Sequence, residues 1–243
     1  MKVALLGDVH GNLPALEAVL ADADARGCEA VWNIGDFVGY GAFPDEVVRL
    51  LRKRAAANLI GNYDQKALEF KKKDAKWRKT KRREKWLAFK FAYEHLSKPS
   101  RKWLRTLPEQ QRLDVAGRRI LLCHGSPASV DEHLWLETPA ERYRELAAMA
   151  DADIVVCGHS HQAFVREAGR VPFINTGTVG RPDDGDPRAC YAVLALAAGV
   201  DVAHHRVPYD TGRAVAAVHE HGLPEAFAQM LLEGRSLDAV SPP

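Results

Sequence analysis

Three short apolar segments near the start of the chain constrain its fold more than any other feature of the sequence. Each is rich in strand-forming residues, each is followed by a Gly-Asp or Gly-Asn step, and helix-like stretches separate them. The predicted strands are residues 2–6, 30–34 and 57–60, and the predicted helices are residues 13–26 and 45–54. Because strands joined through helices form a parallel sheet, their C-terminal ends meet at one edge. The sequence therefore predicts an α/β fold with polar residues gathered at that edge.

The middle of the chain interrupts this alternation. Residues 65–107 have a helical pattern, with an apolar stripe formed by Trp86, Phe89, Tyr93 and Leu96. Pro99 is expected to divide the helical region, and Pro108 is expected to end it. We predict a helical insertion, or cap, over residues 65–107.

The second half returns to strands. Hairpins are predicted over residues 112–123, 162–174 and 190–207, and a helix is expected to open with a capping box at Thr138-Pro139-Ala140-Glu141. Residues 211–235 are predicted to form a helical C-terminal tail.

Composition bounds the class of protein. Hydrophobic residues make up 47% of the 243 residues and charged residues 27%, which is typical of a globular protein, and we predict one domain over residues 1–243. The longest apolar run is too short to span a bilayer, and Asp8 comes too early for a signal peptide. The four cysteines form no Cys-x-x-Cys pair, so neither disulfides nor a thiolate zinc site are expected. We predict a cytoplasmic location without membrane binding.

Seven polar residues at the predicted strand ends form the candidate site. They are Asp8, His10, Asp36, Asn62, His124, His159 and His161. They offer oxygen and nitrogen ligands without thiolate, which suits Mn²⁺, Fe²⁺ or Zn²⁺ better than a structural zinc site. Seven ligands exceed the needs of one ion, whereas two ions that share a carboxylate would use all of them.

Five motifs in order resemble those of the calcineurin-like metallophosphoesterases. The motifs are Gly7-Asp8-Val9-His10-Gly11-Asn12, Gly35-Asp36, Gly61-Asn62-Tyr63-Asp64, His124-Gly125 and Gly158-His159-Ser160-His161. Segments 35–41 and 175–182 make the likeness greatest to the small prokaryotic phosphodiesterase branch, and the likeness spans about residues 1–208. The resemblance implies a four-layer sandwich of two mixed β-sheets flanked by helices. It also implies in-line attack of a bridging metal-bound hydroxide on a phosphoester.

The same resemblance implies a role for each ligand. Asp8, His10 and His161 would hold one divalent ion, and Asn62, His124 and His159 would hold the other. Asp36 would bridge the two ions. Mn²⁺ is favoured over Fe²⁺ and Zn²⁺.

Tyr63 departs from the pattern of the resembled family. The family's Gly-Asn-His-Asp block usually supplies a histidine that contacts the phosphate and can protonate the leaving oxygen. A tyrosine, with an ordinary pKa of about 10, is a weak acid at neutral pH, although its hydroxyl can donate a hydrogen bond to phosphate. The candidate catalytic residues are therefore Tyr63, Asp64, which would fix the loop, and Arg181, which would bind a phosphate oxygen. A packing role for Tyr63 and a surface role for Arg181 stay open.

Positive charge is concentrated in one segment. Residues 71–85 contain ten basic and two acidic residues, while the net charge of the whole chain is only +2. Trp77 and Trp86 lie within or beside this segment, so it could bind nucleic acid or a nucleotide substrate. A solvated helix face is the favoured alternative, and a membrane surface is the least favoured.

Together these features predict a metal-dependent phosphodiesterase that acts on a phosphoester, with nucleotides among the candidate substrates. The alternatives within enzymes are a phosphomonoesterase and a dinucleoside polyphosphate hydrolase. The non-enzyme alternatives are a scaffold on the same fold and a nucleic-acid-binding protein. Because all seven ligand positions are filled, the scaffold is disfavoured.

Overall fold

Two mixed five-stranded β-sheets pack face to face in the computed structural model, which describes residues 1–197 and 199–242. In chain order the elements are β1 (Lys2–Leu6), α1 (Leu13–Ala25), β2 (Ala30–Asn33), α2 (Pro44–Arg54), β3 (Ala57–Asn58), α3 (Asn62–Thr80), α4 (Arg83–His95), α5 (Lys98–Leu104), β4 (Gln110–Val115), β5 (Arg118–Cys123), α6 (Ala140–Ala150), β6 (Ile154–Cys157), β7 (Ala163–Ala168), β8 (Val171–Thr176), β9 (Ala189–Leu196), β10 (Val200–Val207), α7 (Thr211–Glu220), α8 (Glu225–Glu233) and α9 (Leu237–Val240).

The first sheet has the order β10-β9-β1-β2-β3. β1, β2 and β3 are parallel, as predicted, and β9 runs antiparallel to β1. Side chains of β1 alternate between two apolar clusters, so Val3 and Leu5 pack toward the second sheet while Ala4 and Leu6 pack with α1. β1 is therefore buried on both faces.

The second sheet has the order β4-β5-β6-β8-β7, with β5, β6 and β8 parallel and the two outer strands antiparallel. Leu122 and Val156 face the first sheet, whereas Leu121 and Val155 pack against α6. Helices thus cover the outer face of each sheet, which confirms the predicted sandwich of two mixed sheets flanked by helices.

The predicted insertion consists of three helices. α3 begins at Asn62, earlier than predicted, because the Asp64 carboxylate accepts a hydrogen bond from the Gly61 N–H and so caps the helix. α3 and α4 pack through Phe70, Trp77 and Phe89, and α5 ends the helical region at Leu104. Trp86 and Tyr93 of the predicted stripe are only half-buried.

Two local predictions were wrong. β3 ends at Asn58, two residues earlier than predicted, although the Leu59 N–H still bonds to the Asn33 carbonyl of β2, and the Ile60 N–H bonds to the Pro108 carbonyl. No capping box opens α6, since Pro139 occupies the N-cap position and the Thr138 hydroxyl bonds to the Trp135 N–H instead. The helices α7 and α8 lie within the predicted C-terminal tail, and the short helix α9 follows that range. Within the described residues, no helix is long and apolar enough to cross a bilayer.

Candidate metal centre

The candidate ligands lie where strands of both sheets end. Asp8 and Asp36 follow β1 and β2 of the first sheet, while His124 and His159 follow β5 and β6 of the second. The two sheets place these four loops together because their parallel strands end on the same side. The side chains are almost completely buried.

Two groups of three residues bring their ligand atoms within 4.8 Å of one another. The first cluster is Asp8, His10 and His161, and the second cluster is Asp36, His124 and His159. In the first, Asp8 Oδ1 lies 3.4 Å from His161 Nε2 and 3.9 Å from His10 Nε2. The first cluster contains the three residues expected for one ion, and the second contains His124 and His159 of the other expected set together with Asp36.

Asp36 lies between the clusters. Its Oδ2 atom is 3.5 Å from His124 Nε2 in the second cluster and 3.7 Å from His10 Nε2 in the first. Its Oδ1 atom accepts a hydrogen bond from the Tyr63 N–H at 2.8 Å, which leaves Oδ2 facing both clusters. The position of Asp36 is the one that a bridging carboxylate requires.

Backbone carbonyl groups set the orientation of three imidazoles. The Nδ1 atoms lie 3.0–3.2 Å from carbonyl oxygens, that of Val38 for His10, Ile34 for His124 and Arg181 for His161. Because a carbonyl can only accept, each Nδ1 carries the proton that is donated. The Nε2 atoms therefore face the clusters, as they do in metal sites where the other ring nitrogen is anchored.

The pair formed by His10 and His161 fits a bound cation. Their Nε2 atoms are 3.2 Å apart, although both rings use Nδ1 as the donor to a carbonyl. Two facing lone pairs repel each other unless a proton or a metal ion lies between them. The geometry thus favours positive charge at this point.

Buried polar atoms also fit the two ions. Seven buried side-chain polar atoms of the described residues have no hydrogen-bond partner; three are Asn33 Oδ1, Arg181 Nε and the Tyr209 hydroxyl, and the other four are Asp8 Oδ1, Asn62 Oδ1, His124 Nε2 and His159 Nε2. Such atoms are rare in folded proteins because each costs the free energy of its desolvation. All four belong to the seven candidate ligands, so the donor set present here can hold two divalent ions.

Asn62 is oriented by a neighbour that the sequence analysis missed. Its Nδ2 donates to Asp131 Oδ1 at 2.7 Å, and Lys66 Nζ lies 3.0 Å from the same oxygen. Because a carboxylate only accepts, the amide nitrogen of Asn62 faces Asp131, and its oxygen is left for a metal ion. The order Asp131-Glu132-His133 in the sequence carries no signal for this contact.

The carboxyl groups at the centre are ionised despite burial. Burial favours the neutral acid, but the imidazole of His161 holds the pKa of Asp8 well below its usual range. In the same way, the imidazole of His124 overcomes burial and lowers the pKa of Asp36 to about 2. Both residues therefore supply negative charge at neutral pH.

The histidines divide into two types. Burial lowers the pKa of His10 to about 3, and burial together with His124 lowers the pKa of His159 to about 4. Burial disfavours the charged form of His124 too, but Asp36 outweighs it and raises the pKa of His124 to about 9. Burial and Arg181 likewise lower the pKa of His161, but Asp8 outweighs them and the net shift is upward. Positive charge beside the two carboxylates is thus stabilised, whether imidazolium or divalent ions carry it.

The backbone at this edge is held in an uncommon conformation. Five candidate ligands have positive φ, with values of 52° for Asp8, 49° for His10, 54° for Asp36, 65° for His159 and 60° for His161. Asp and His tolerate this left-handed region better than most residues, although it still costs of the order of 1 kcal/mol relative to the usual regions. The surrounding loops are tightly packed, since a Cβ added at Gly61 would lie 2.1 Å from Asp36 Oδ1.

The three candidate catalytic residues occupy different positions. The Tyr63 hydroxyl lies 2.8 Å from the Tyr40 hydroxyl, and burial together with Tyr40 raises the pKa of Tyr63 well above its ordinary value. Asp64 does not face the clusters and instead accepts three backbone N–H groups. The Arg181 guanidinium lies 4.8 Å above the Tyr40 ring and 3.7 Å from Asp183.

A cavity of about 350 Å³ opens onto the site. Its lining includes candidate ligands from both clusters, Tyr63 and Arg181, together with His133, whose ring centroid is 3.9 Å from that of His159. The lining also includes Lys66, Lys81 and Lys85 from the insertion, which the sequence analysis did not single out. Phosphate-sized anions can therefore reach both clusters from one side.

Comparisons with known proteins agree with this site. Residues 1–199 match the model of the calcineurin-like phosphoesterase superfamily domain. A metallophosphoesterase of known crystal structure from Sphaerobacter thermophilus is 30% identical, with 96% of this chain and 99% of that chain covered and a TM-score of 0.78.

Two further relatives match by sequence. An uncharacterised protein of Methanocaldococcus jannaschii is 28% identical over an alignment of 255 positions, which covers 96% of this chain and 98% of that protein. Phosphodiesterase YfcE of Escherichia coli is 26% identical over an alignment of 208 positions, which covers 80% of this chain and 87% of that protein. The motifs, the two ligand clusters and the family match lead to one conclusion: the chain belongs to the calcineurin-like phosphoesterase superfamily.

Proposed function

We propose that the chain is a metal-dependent phosphodiesterase that acts on a soluble phosphoester. The observation that carries this proposal is the position of Asp36 Oδ2, which faces both ligand clusters at the floor of an open cavity. The likeness to phosphodiesterase YfcE supports the choice of diesters over monoesters.

Each candidate ligand has a place in this proposal. Asp8, His10 and His161 would hold one ion, Asn62, His124 and His159 would hold the other, and Asp36 would contribute to both sites. When bound, such a pair of ions would supply an activated water molecule as nucleophile and positive charge for the phosphate.

The remaining residues act on the substrate. Arg181 binds a non-bridging phosphate oxygen, since its guanidinium lines the cavity beside the clusters. The Tyr63 hydroxyl donates a hydrogen bond rather than a proton, because burial raises its pKa. Asp64 acts as a positioning residue that holds the loop of Asp36 against the start of α3, where Tyr63 lies.

Mn²⁺ is the proposed native metal, because the ligands are oxygen and nitrogen atoms without thiolate. The proposed location is the cytoplasm, where the four cysteines, all free in the structure, would stay reduced.

The test is hydrolysis of bis(p-nitrophenyl) phosphate after metal removal and addition of Mn²⁺. We expect about two ions per chain and Mn²⁺-dependent turnover, both of which Asp36→Asn should abolish. Asp201→Asn, at an exposed position on β10, is the matched control and should retain both. The proposal fails if no divalent metal supports hydrolysis of this diester.

A second experiment concerns Tyr63. General acid catalysis is worth about 10²–10⁴ in rate and matters most for poor leaving groups. Tyr63→His should therefore raise turnover of alkyl phosphodiesters more than turnover of nitrophenyl phosphodiesters. An equal effect on both substrates would remove Tyr63 from the reacting centre.

The same assays separate the alternatives. A phosphomonoesterase would hydrolyse p-nitrophenyl phosphate faster than the diester, and a dinucleoside polyphosphate hydrolase would prefer diadenosine polyphosphates. A scaffold would bind metal without hydrolysing any of these compounds. Binding of nucleic acid through residues 71–85 predicts retention on a polynucleotide column that falls steeply with salt.

A further inference from the structure

Three lysines of the helical insertion line the same cavity as the candidate ligands. Lys66 belongs to α3, Lys81 directly follows α3, and Lys85 belongs to α4. All three are half-buried. Most of the other basic residues between positions 71 and 85 are exposed, so the fold separates a solvated helix face from a small group turned toward the site.

Lys81 is held in place by aromatic rings rather than by a carboxylate. Its Nζ lies 5.1 Å from the centroid of the Trp77 ring and 5.7 Å from that of Phe89. Among the described residues, no carboxylate oxygen lies within 4.0 Å of this ammonium group. Burial, together with Lys66 and Lys85, lowers the pKa of Lys81. Lys66 and Lys85 thus disfavour the charged form of Lys81, and all three lysines line one cavity.

The counter-charge at these lysines is incomplete. Lys66 Nζ is 3.0 Å from Asp131, but that carboxylate also accepts from Asn62. Lys85 Nζ is 3.9 Å from Asp238, which also binds Arg82 at 2.8 Å. Positive charge that is fixed in position and only partly neutralised favours an anionic ligand.

The basic surface also extends beyond the first cavity. A second cavity of about 720 Å³ shares Lys66, Lys81 and Asp131 with the first. Its further lining includes Lys73 and Lys76 of α3. An anion seated at Lys81 thus has room on the side away from the metal ligands.

We infer that Lys66, Lys81 and Lys85 form a second anion subsite, which binds a phosphate group next to the scissile phosphoester. The inference rests on the proposed function and narrows it, because the substrate must then carry at least two neighbouring phosphate groups. Two sources have this chemistry, namely a phosphodiester-linked oligonucleotide and a pyrophosphate-linked nucleotide.

The test compares substrates that differ in the second phosphate. Bis(p-nitrophenyl) phosphate and the dinucleotide TpT have one phosphate, the 5′-phosphorylated dinucleotide pTpT has two, and diadenosine triphosphate has a pyrophosphate linkage. Lys81→Gln should lower kcat/KM about ten-fold for a two-phosphate substrate and less than about two-fold for the one-phosphate substrates, as the loss of a charge-assisted hydrogen bond predicts. A loss of kcat/KM confined to pTpT identifies a phosphodiester-linked oligonucleotide as the substrate class. A loss confined to diadenosine triphosphate identifies a pyrophosphate-linked nucleotide.

Two further variants control for folding and for net charge. Lys81→Arg keeps the charge and should restore the preference for two phosphates, which a purely structural role would not do. Lys72→Gln removes a charge from the exposed face of α3, lines neither cavity, and should behave as wild type on every substrate. Equal losses on one-phosphate and two-phosphate substrates for Lys81→Gln would overturn the subsite.

A binding measurement separates failure of the subsite from failure of the proposed function. Calorimetry with tripolyphosphate and with inorganic phosphate requires no turnover. We expect Lys81→Gln to weaken tripolyphosphate binding about ten-fold and to leave phosphate binding unchanged. Unchanged tripolyphosphate binding overturns the subsite even if bis(p-nitrophenyl) phosphate is hydrolysed. If bis(p-nitrophenyl) phosphate is not hydrolysed but Lys81→Gln still weakens tripolyphosphate binding, only the proposed phosphodiesterase activity is overturned.

Discussion

Asp64 supplies the most exacting test of how the site is held together. Its carboxylate is completely buried and accepts the N–H groups of Asp36 at 3.0 Å, Val38 at 3.2 Å and Gly61 at 2.9 Å. These three groups belong to the two loops that carry Asp36 and Asn62. Asp64 therefore joins the ends of β2 and β3, where the short β3 supplies few ladder hydrogen bonds of its own.

The magnitude follows from the three bonds. Asp64→Ala leaves three buried donors without an acceptor, and each such donor costs about 1–3 kcal/mol. Because water can occupy the space that the side chain leaves, we expect the lower end, a loss of about 3–4 kcal/mol in the free energy of unfolding. Asp64→Asn keeps one oxygen but turns an amide N–H toward one of the donors, so its loss should be intermediate.

Urea unfolding of the metal-free protein in the presence of EDTA measures these values without the contribution of metal binding. The matched control is Asp45→Ala, because Asp45 accepts a single backbone bond, from the Ser97 N–H at 2.9 Å. That variant should lose only about 1 kcal/mol. If Asp64→Ala loses no more than Asp45→Ala, the three bonds do not hold the loops, and the reasoning is refuted.

Three other predictions concern packing, pH and the tail. Gly180→Ala places a Cβ 1.8 Å from the Val9 carbonyl oxygen and should lower the Tm by several degrees. The control is Gly212→Ala, whose Cβ meets no atom closer than 3.4 Å and which should leave the Tm unchanged. Equal Tm values for the two variants would contradict this prediction. Burial lowers the pKa of His204 below its ordinary 6.5, so its contribution to stability is complete above pH 6.5 and is lost as the pH falls below that value. His204→Gln should therefore reduce the difference between the urea midpoints at pH 7 and pH 5. An unchanged difference would show that His204 does not contribute to the pH dependence of stability. Asp238→Asn removes negative charge beside Arg82 and Lys85 and should strengthen inhibition by tripolyphosphate about two-fold. Unchanged or weaker inhibition would contradict the role of Asp238 as partial counter-charge.

The parallel strands and the gathering of the candidate ligands at one edge could be predicted because both depend on short-range patterns. An apolar run followed by a Gly-Asp step specifies a strand and its end, and strand ends meet whatever the length of chain between them. His161 and Asp8 are thus only 3.4 Å apart although 153 positions separate them in the sequence. The structure brings these residues into two clusters with Asp36 beside both, and metal binding by them stays a prediction.

The features that were missed depend on contacts between distant segments. The Ile60 N–H bonds to the Pro108 carbonyl, and no local pattern in the sequence indicates that contact. The bond between Tyr40 and Tyr63 likewise joins the loop after β2 to the first turn of α3. Residues 71–85 look uniformly basic in the sequence, but the packing of Trp77 and Phe89 decides that Lys81 faces the cavity.

The left-handed backbone at the candidate ligands bears on how sequences in this family can drift. At Asp8, His10, Asp36, His159 and His161, glycine or asparagine would satisfy the positive φ with less strain than the residues present. Selection for heat resistance alone would then favour replacing the very residues proposed to hold the ions. A lineage released from the demand for metal binding should lose these residues early and gain stability as it does so.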